Sequence, residues 1–306
     1  MSTSSCQLTP LRPAGYNERR YITRQSLGYY RTLAIGDVYT LKQDREVSQQ
    51  TFVPALKHCV AIHPLLSAVI ECQDTESPAF ARPKVLDLQN HVEILSVNDF
   101  EEGATNSPEK DLIHRATIRT LDSEFLSAES IPPWKVVIFN LPNRHEPQED
   151  SSTQRLFILF AYYHSHGDGK SALAFHKTFL QGLNGPKSNL TESSTCETPS
   201  TPLPPTIEQA GKLSISWSYL LSPLFGAYLP ESVARLFGLR ASTTPKSADA
   251  WKGIKASFDH STFSTGLDFF NVPHTTMGKT LELCRAHDVK FTSLLHQLVV
   301  RALSEA

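Results

Sequence analysis

The sequence predicts a mixed α/β fold, in which helices flank a sheet. The first observation is an unbroken apolar run from Leu156 to Tyr163, which is typical of a strand with both faces covered. The second is a run of apolar residues at helical spacing directly after the following polar turn. The third is that the candidate elements lack the strict βαβα rhythm and the G-x-G-x-x-G fingerprint of a dinucleotide-binding fold.

The segments before this strand supply the other elements of the first half. Arg19 to Ile22 is expected to be a loop that enters a strand. A helix is predicted over 53–63, with Pro54 in its first turn and His63 capping carbonyl groups at its end. Further predictions are strands at 65–70, 85–97 and 134–139, an acidic loop at 99–102, a helix from 107 to about 126 and a charged hairpin or loop at 144–153.

The composition changes after the helix that follows the turn. Proline, serine and threonine dominate residues 186–208, which predicts an exposed linker or long loop. The apolar stretch 215–229 is expected to pack over a seam between domains rather than to contact a membrane surface. Two helices are then predicted over 276–287 and 292–305, and the second carries a broad apolar stripe on residues 294–303.

Charge and cysteine content exclude several classes of protein. The chain has 29 basic and 31 acidic residues and no basic stripe, so no nucleic-acid partner is expected. Its five scattered cysteines contain no CxxC pair, which favours reduced intracellular thiols over disulfides or a zinc ribbon. No secretory signal is visible, and no apolar run approaches the ~18 residues of a membrane span. A cytoplasmic protein is expected.

The polar turn at 164–169 carries the candidate chemistry. Histidine is the side chain whose unperturbed pKa lies nearest neutrality, so a positioned imidazole at 164 can take a proton from an alcohol or amine that attacks a carbonyl. Asp168 could either orient this ring or tie the turn to an arginine, and the sequence leaves both roles open. Ser165 is not in a G-x-S-x-G setting, which favours direct acyl transfer over a seryl intermediate.

The same turn also admits a metal site. His164, His166 and Asp168 alternate as His-x-His-x-Asp, which resembles the opening of a metallo-hydrolase signature. However, Gly169 stands where that signature has a further histidine, and Gly167 and Gly169 suit a sharp turn better than an extended strand of ligands. A metal-dependent hydrolase is therefore the alternative, no metal is expected, and a third interpretation is that polar residues merely close the turn.

The turn resembles a known active-site motif. The segment from Tyr163 to Gly169 is similar to the His-x-x-x-Asp-Gly turn of the coenzyme A-dependent acyltransferase superfamily, which includes chloramphenicol acetyltransferase, plant BAHD enzymes and condensation domains. The segments Gly167 to Ser171 and Ala174 to His176 resemble the fungal alcohol acetyltransferase branch. Further similarity lies at 55–66, 133–134, 251–253 and 291–296.

The resemblance implies both chemistry and fold. His164 would be the general base, Asp168 would hold the turn, and Gly167, Gly169 and Ser171 would support it, with Gly169 letting the backbone bend away from the substrate. The implied reaction transfers an acetyl group from acetyl-CoA to a small alcohol or amine without a covalent intermediate, as in secondary metabolism. The implied fold is the N-terminal half of a two-domain chloramphenicol acetyltransferase-like fold plus the start of the second half.

Two residues depart from the family pattern. Condensation domains carry a second histidine where this chain has Tyr163, which argues against peptide-bond formation on carrier proteins. His166 stands where the family commonly has an apolar residue, and it would either assist or perturb His164.

The resemblance also divides the chain. Residues 1–185 would be the acyltransferase half with the motif, 186–250 a linker and apolar crossover segment, and 251–306 the start of an incomplete second half. Three accounts follow: a fragment of an active enzyme, a shortened product that works with a partner chain, or an inactive scaffold of the fold. A complementing C-terminal half or self-association is expected, because the apolar stripe on 294–303 must face something.

Overall fold

The computed structural model describes residues 8–42, 46–96, 108–142, 153–185, 193–211, 216–237, 259, 262 and 264–305. The chain forms two compact units, Met1–Thr265 and Gly266–Ala306. The predicted acidic loop at 99–102, the charged hairpin at 144–152 and the segment 251–253 lie outside the described residues.

The first unit contains nine described strands and seven described helices. The strands are β1 Leu8–Pro13, β2 Leu33–Lys42, β3 Val69–Glu71, β4 Ala79–Pro83, β5 Val85–Asp87, β6 Val92–Leu95, β7 Trp134–Asn140, β8 Thr153–Tyr162 and β9 Thr195–Glu197. The helices are α1 Tyr16–Ser26, α2 Gln49–Ile62, α3 Pro108–Leu121, α4 Gly169–Leu183, α5 Ile207–Ala210, α6 Trp217–Tyr228 and α7 Glu231–Leu236.

The main sheet has the strand order β2-β8-β7-β6, and only its β6–β7 pair is parallel. Alternate residues of β8 face opposite sides, as the period of a strand requires. Ile158 and Phe160 pack in one buried cluster with residues of α2 and α4, whereas Phe157 and Leu159 pack with α3 around Ala116. Both faces of the apolar strand are therefore covered by helices, and the predicted mixed α/β fold is confirmed.

Two small antiparallel sheets flank the main one. The first has the order β1-β4-β3, and the second pairs β5 with β9. Residues beyond β9 also bond to the first part of the chain, since Arg82 Nη1 donates to Pro199 O at 2.5 Å and Arg12 Nε donates to Pro204 O at 3.1 Å. Part of the segment predicted to be a linker is thus attached to the first unit. The three-part division of the chain remains a prediction.

Helix α1 corrects the sequence analysis at Arg19 to Ile22, where a loop entering a strand was wrongly expected. Tyr21 and Ile22 favour strands, but here Ile22 is buried in a cluster with residues of β3 and β4. The backbone N–H of Gly15 donates to the Glu18 carboxylate at 2.6 Å, which satisfies one of the free donors at the helix start. Burial and capping outweigh local propensity here.

The other boundaries shift for local reasons. Helix α2 begins at Gln49, so Pro54 lies inside the helix rather than in its first turn. His63 is the C-cap of α2, as predicted, since its backbone N–H donates to Cys59 O at 2.8 Å, and its ring contacts Thr178 Oγ1 at 2.9 Å. Two predicted strands are interrupted by short 3-10 helices at Pro64–Ser67 and Leu88–His91, the second capped by the carboxylate of Asp87.

The second unit contains two helices, α8 His274–Ala286 and α9 Phe291–Glu305, close to the predicted spans. On α9 the side chains of Leu295, Leu298, Val299 and Leu303 are exposed. The apolar stretch at 215–229 is mostly helix α6. None of the described helices is long and apolar enough to cross a membrane.

Candidate active site

The imidazole of His164 lies just past the end of β8, at the entrance to the turn that precedes α4. Its Nδ1 is 2.9 Å from the carbonyl oxygen of Gly167. A carbonyl oxygen only accepts, so Nδ1 carries the hydrogen of this bond and the lone pair of the neutral ring is on Nε2. Within the described part of the chain, Nε2 has no hydrogen-bond partner. This arrangement suits a general base.

Aromatic side chains hold the plane of this ring. Tyr21 of α1 stacks on the imidazole, with ring centroids 3.8 Å apart and an interplanar angle of 17°. Tyr30 lies on the same ring at a centroid distance of 5.7 Å. Arg20 Nη2 in turn donates to the hydroxyl of Tyr21 at 3.1 Å. The Nδ1 hydrogen bond and the stacked ring together restrict the imidazole to one orientation.

Tyr30 reaches His164 because of the way α1 ends. Gly28 has a φ of 74°, the left-handed backbone that glycine adopts without steric cost. The N–H of Gly28 donates to Gln25 O at 2.9 Å, and that of Tyr29 donates to Arg24 O at 2.8 Å. This pair of bonds is the Schellman motif, which ends a helix and reverses the chain.

Asp168 is the N-cap of α4. Its Oδ1 accepts from the backbone N–H of Ser171 at 2.9 Å and from the Ser171 hydroxyl at 2.8 Å. These bonds stabilise the carboxylate and lower its pKa below the ordinary value. Among the described residues, Asp168 has no hydrogen bond to the His164 ring and no ion pair with an arginine. It supports the turn by starting the helix.

The two glycines of the turn have different surroundings. A Cβ at Gly167 would lie 2.9 Å from Ser171 Cβ, whereas a Cβ at Gly169 would meet Ile35 Cδ1 at an ordinary 3.9 Å. Neither has the left-handed backbone, which Gly28 alone of the described glycines adopts. Glycine is therefore required at 167 because a larger side chain would be too close to Ser171, not because of the backbone conformation. At 169 neither the space nor the backbone conformation requires glycine.

His166 points into the protein. Its Nε2 donates to Ala68 O across 2.9 Å, its Nδ1 is 3.1 Å from Ser165 Oγ, and the ring meets the edge of Phe80. Burial lowers the pKa of His166 to about 4, so the ring is neutral near pH 7. It ties the turn to the residue before β3 and does not contact His164. Across the described ranges, no three His, Cys, Asp or Glu side chains lie together as a metal ligand set.

A cavity that the sequence did not predict includes Tyr30, which contacts the His164 ring, and Tyr163, which precedes His164. Its volume is about 370 Å³, and it is lined by Gln25, Ser26, Leu27, Gly28, Tyr30, Glu124 and Tyr163. The residues around His164 that were not predicted lie on or just after α1, in the segment assigned to a loop and strand. The sequence Gly28-Tyr29-Tyr30 could have indicated these residues, because a glycine that ends a helix is followed there by two aromatic residues.

Comparison with known proteins places the chain beside distant relatives. No family model matches it. An uncharacterized protein of Schizosaccharomyces pombe is 24% identical over 293 residues, which are 95% of this chain and 56% of the relative. A second relative, from Fusarium pseudograminearum, is 23% identical over 184 residues, which are 58% of this chain and 34% of that protein. That relative is a probable alcohol acetyltransferase. The chain thus spans about half of the first relative and a third of the second.

The resemblance drawn from the sequence agrees with this second relative. Among solved structures, a tallysomycin biosynthesis protein aligns with a TM-score of 0.43 at 9% identity, covering 72% of this chain and 46% of that one. A trichothecene 15-O-acetyltransferase from Fusarium sporotrichioides aligns with a TM-score of 0.37 at 12% identity, covering 60% of this chain and 36% of that one.

Proposed function

We propose that this chain carries the general base of an acetyltransferase, which moves an acetyl group from acetyl-CoA to a small alcohol or amine. The observation that carries the proposal is the 2.9 Å bond from His164 Nδ1 to Gly167 O, since it leaves Nε2 as the basic nitrogen. The similarity to a probable alcohol acetyltransferase supports the same reaction class. The resemblance implies that acetyl-CoA is a substrate, the donor of the acetyl group.

The chemistry needs one base and no nucleophile on the protein. Nε2 of His164 takes the proton of the acceptor O–H or N–H as that atom attacks the thioester carbonyl. The tetrahedral intermediate collapses, the C–S bond breaks, and the departing thiolate takes the proton back from Nε2. Ser165 is buried and its Oγ faces His166, so it is not placed to form an acyl intermediate.

The test is to replace His164 with Ala and to follow the release of free coenzyme A with a panel of alcohols and amines. A positioned general base contributes typically ~10²- to 10⁴-fold, so we expect turnover to fall by roughly 100-fold or more. His58→Ala is the matched control, because His58 is an exposed histidine on α2. Turnover that survives in His164→Ala would refute the proposal.

A second measurement does not depend on turnover. Nitrogen chemical shifts of the histidine rings distinguish a protonated ring nitrogen from a bare one. In the neutral form of His164 we expect the hydrogen on Nδ1 and the lone pair on Nε2. A hydrogen found on Nε2 instead would contradict the proposal, because that nitrogen would then have no lone pair for the proton of the acceptor.

A further inference from the structure

The amide of Gln25 has no hydrogen-bond partner, although both of its polar atoms, Nε2 and Oε1, are buried. A buried donor and acceptor that remain unpaired are costly, and each such group in a protein calls for an explanation. Gln25 lines the cavity whose wall also contains Tyr30 and Tyr163. Its unused donor and acceptor therefore lie where a bound molecule can pair with both.

The other residues that line the cavity indicate which class of ligand it can bind. Tyr30 and Tyr163 contribute aromatic surface, and the volume of about 370 Å³ lies within the usual range for small-molecule sites. The Glu124 carboxylate lines the cavity, is about half exposed and lies 3.7 Å from Arg31 Nε. It disfavours an anionic group placed next to it, because like charges repel, although the guanidinium of Arg31 offsets part of its charge.

Tyr30 connects this cavity to the candidate base. Its side chain lines the cavity, and its ring centroid lies 5.7 Å from that of His164. Tyr163, on the same wall, directly precedes His164 in the chain. The cavity thus shares Tyr30 with the surroundings of His164, and its wall includes the residue that precedes His164.

We propose that this cavity is the subsite for the far end of the acceptor. Gln25 pairs with a neutral group that both donates and accepts, a second hydroxyl or a carboxamide, while the reacting hydroxyl or amine lies at His164. The acceptor class is thus neutral and bifunctional, such as a diol or a hydroxy-amide. This assignment rests on the proposed function, and Gln25 acts in it as a specificity-determining residue.

The test uses three probes of one chain length that carry a hydroxyl at one end: hexanol, hydroxyhexanamide and hydroxyhexanoate. Binding to the full chain is measured by calorimetry. A paired amide supplies about 1.4 kcal/mol, which is a factor of ~10 in Kd, so we expect hydroxyhexanamide to bind roughly 10-fold more tightly than hexanol. The carboxylate of hydroxyhexanoate is expected to bind more weakly than the amide.

The Gln25→Met variant keeps the length of the side chain and removes its polar atoms. We expect it to bind hydroxyhexanamide and hexanol equally, and to unfold at no lower temperature than the parent because no protein hydrogen bond is lost. If the parent shows no preference for the amide, or if Gln25→Met keeps that preference, the subsite is refuted.

His164→Ala separates the two proposals. The subsite predicts that this variant still distinguishes hydroxyhexanamide from hexanol in binding, even though acetyl transfer is lost. Suppose that Gln25→Met abolishes the preference for hydroxyhexanamide over hexanol, but His164→Ala leaves turnover unchanged. That result would overturn the proposed function and leave the subsite standing. Turnover that depends on His164 without any effect of Gln25 would overturn the subsite alone.

Discussion

At the scale of single residues, the two histidines of the turn differ because their surroundings differ. His164 is partly exposed, and no described residue hydrogen-bonds to its Nε2, whereas both ring nitrogens of the buried His166 are in contact, with Ala68 O and Ser165 Oγ. In the sequence both are simply histidines of a His-x-His pattern. The direction of each ring depends on residues about a hundred or more positions away, Tyr21 for His164 and Ala68 for His166, so the sequence does not distinguish their roles.

His166 is expected to make stability depend on pH. Its folded-state pKa of about 4 lies below the ordinary 6.5, so the unfolded chain binds the proton more tightly. Its contribution is therefore fully present above about pH 6.5 and is lost as the pH falls toward 4, by roughly 3 kcal/mol in all.

The measurement is urea unfolding of the parent and of His166→Phe between pH 7 and pH 4. His91 is also buried with a pKa lowered to about 4, so both proteins should lose stability with acid, but the parent should lose more. Parallel curves for the two proteins would contradict the prediction.

Asp168 is expected to act through the helix rather than through His164. Removing an N-cap costs about 1 kcal/mol, so Asp168→Ala should lower the free energy of unfolding by that amount, while Asp168→Asn keeps the cap and should be nearly neutral. The pH dependence of acetyl transfer should be the same in the parent and in Asp168→Asn. A shift of that profile in Asp168→Asn would instead show that the carboxylate acts on the imidazole.

At the scale of elements, the turn from β8 to α4 is built by close packing between position 167 and the first turn of the helix. The apolar run and the helical periodicity predict β8 and α4 from the sequence, because these elements follow the period of their own side chains. Helix α1 could not be predicted in this way, since Ile22 becomes helical through burial against β3 and β4. Three of the residues around the site, Tyr21, Gln25 and Tyr30, were missed for the same reason.

The glycines of this turn provide a matched pair of substitutions. Gly167→Ala introduces a contact of 2.9 Å with Ser171 Cβ, so we expect a loss of about 1–3 kcal/mol in the free energy of unfolding. Gly169→Ala has room for the methyl group at the start of α4, and alanine favours a helix, so we expect no loss of stability. Both values are read from chemical denaturation. Equal losses in the two variants would show that the backbone, not the space at 167, determines glycine there.

At the scale of the whole molecule, composition indicates where the chain changes character, and the structure adds how the described part of that segment is attached. Residues 186–208 are rich in proline, serine and threonine, and such composition predicts an exposed linker or long loop. Their described part pairs β9 with β5 and also bonds to the side chain of Arg82, so a long loop is attached here at both points. A three-residue strand is too short to leave a periodic signal in the sequence, and its partner lies about a hundred residues earlier.

Hydrogen exchange on the full chain tests whether this segment is part of the first unit. The ladder between β5 and β9 is accompanied by two further bonds, from Thr198 N to Lys84 O at 3.0 Å and from the Thr198 hydroxyl to Pro83 O at 2.7 Å. Amides in such bonds exchange only when the structure opens, so we expect slow exchange across 195–198. Arg82→Met removes the side-chain bond to Pro199 and keeps the apolar stem, and it should speed exchange in this segment more than in β8. Exchange across 195–198 that is already as fast as in an unfolded peptide would show that the segment is a linker, as its composition predicts.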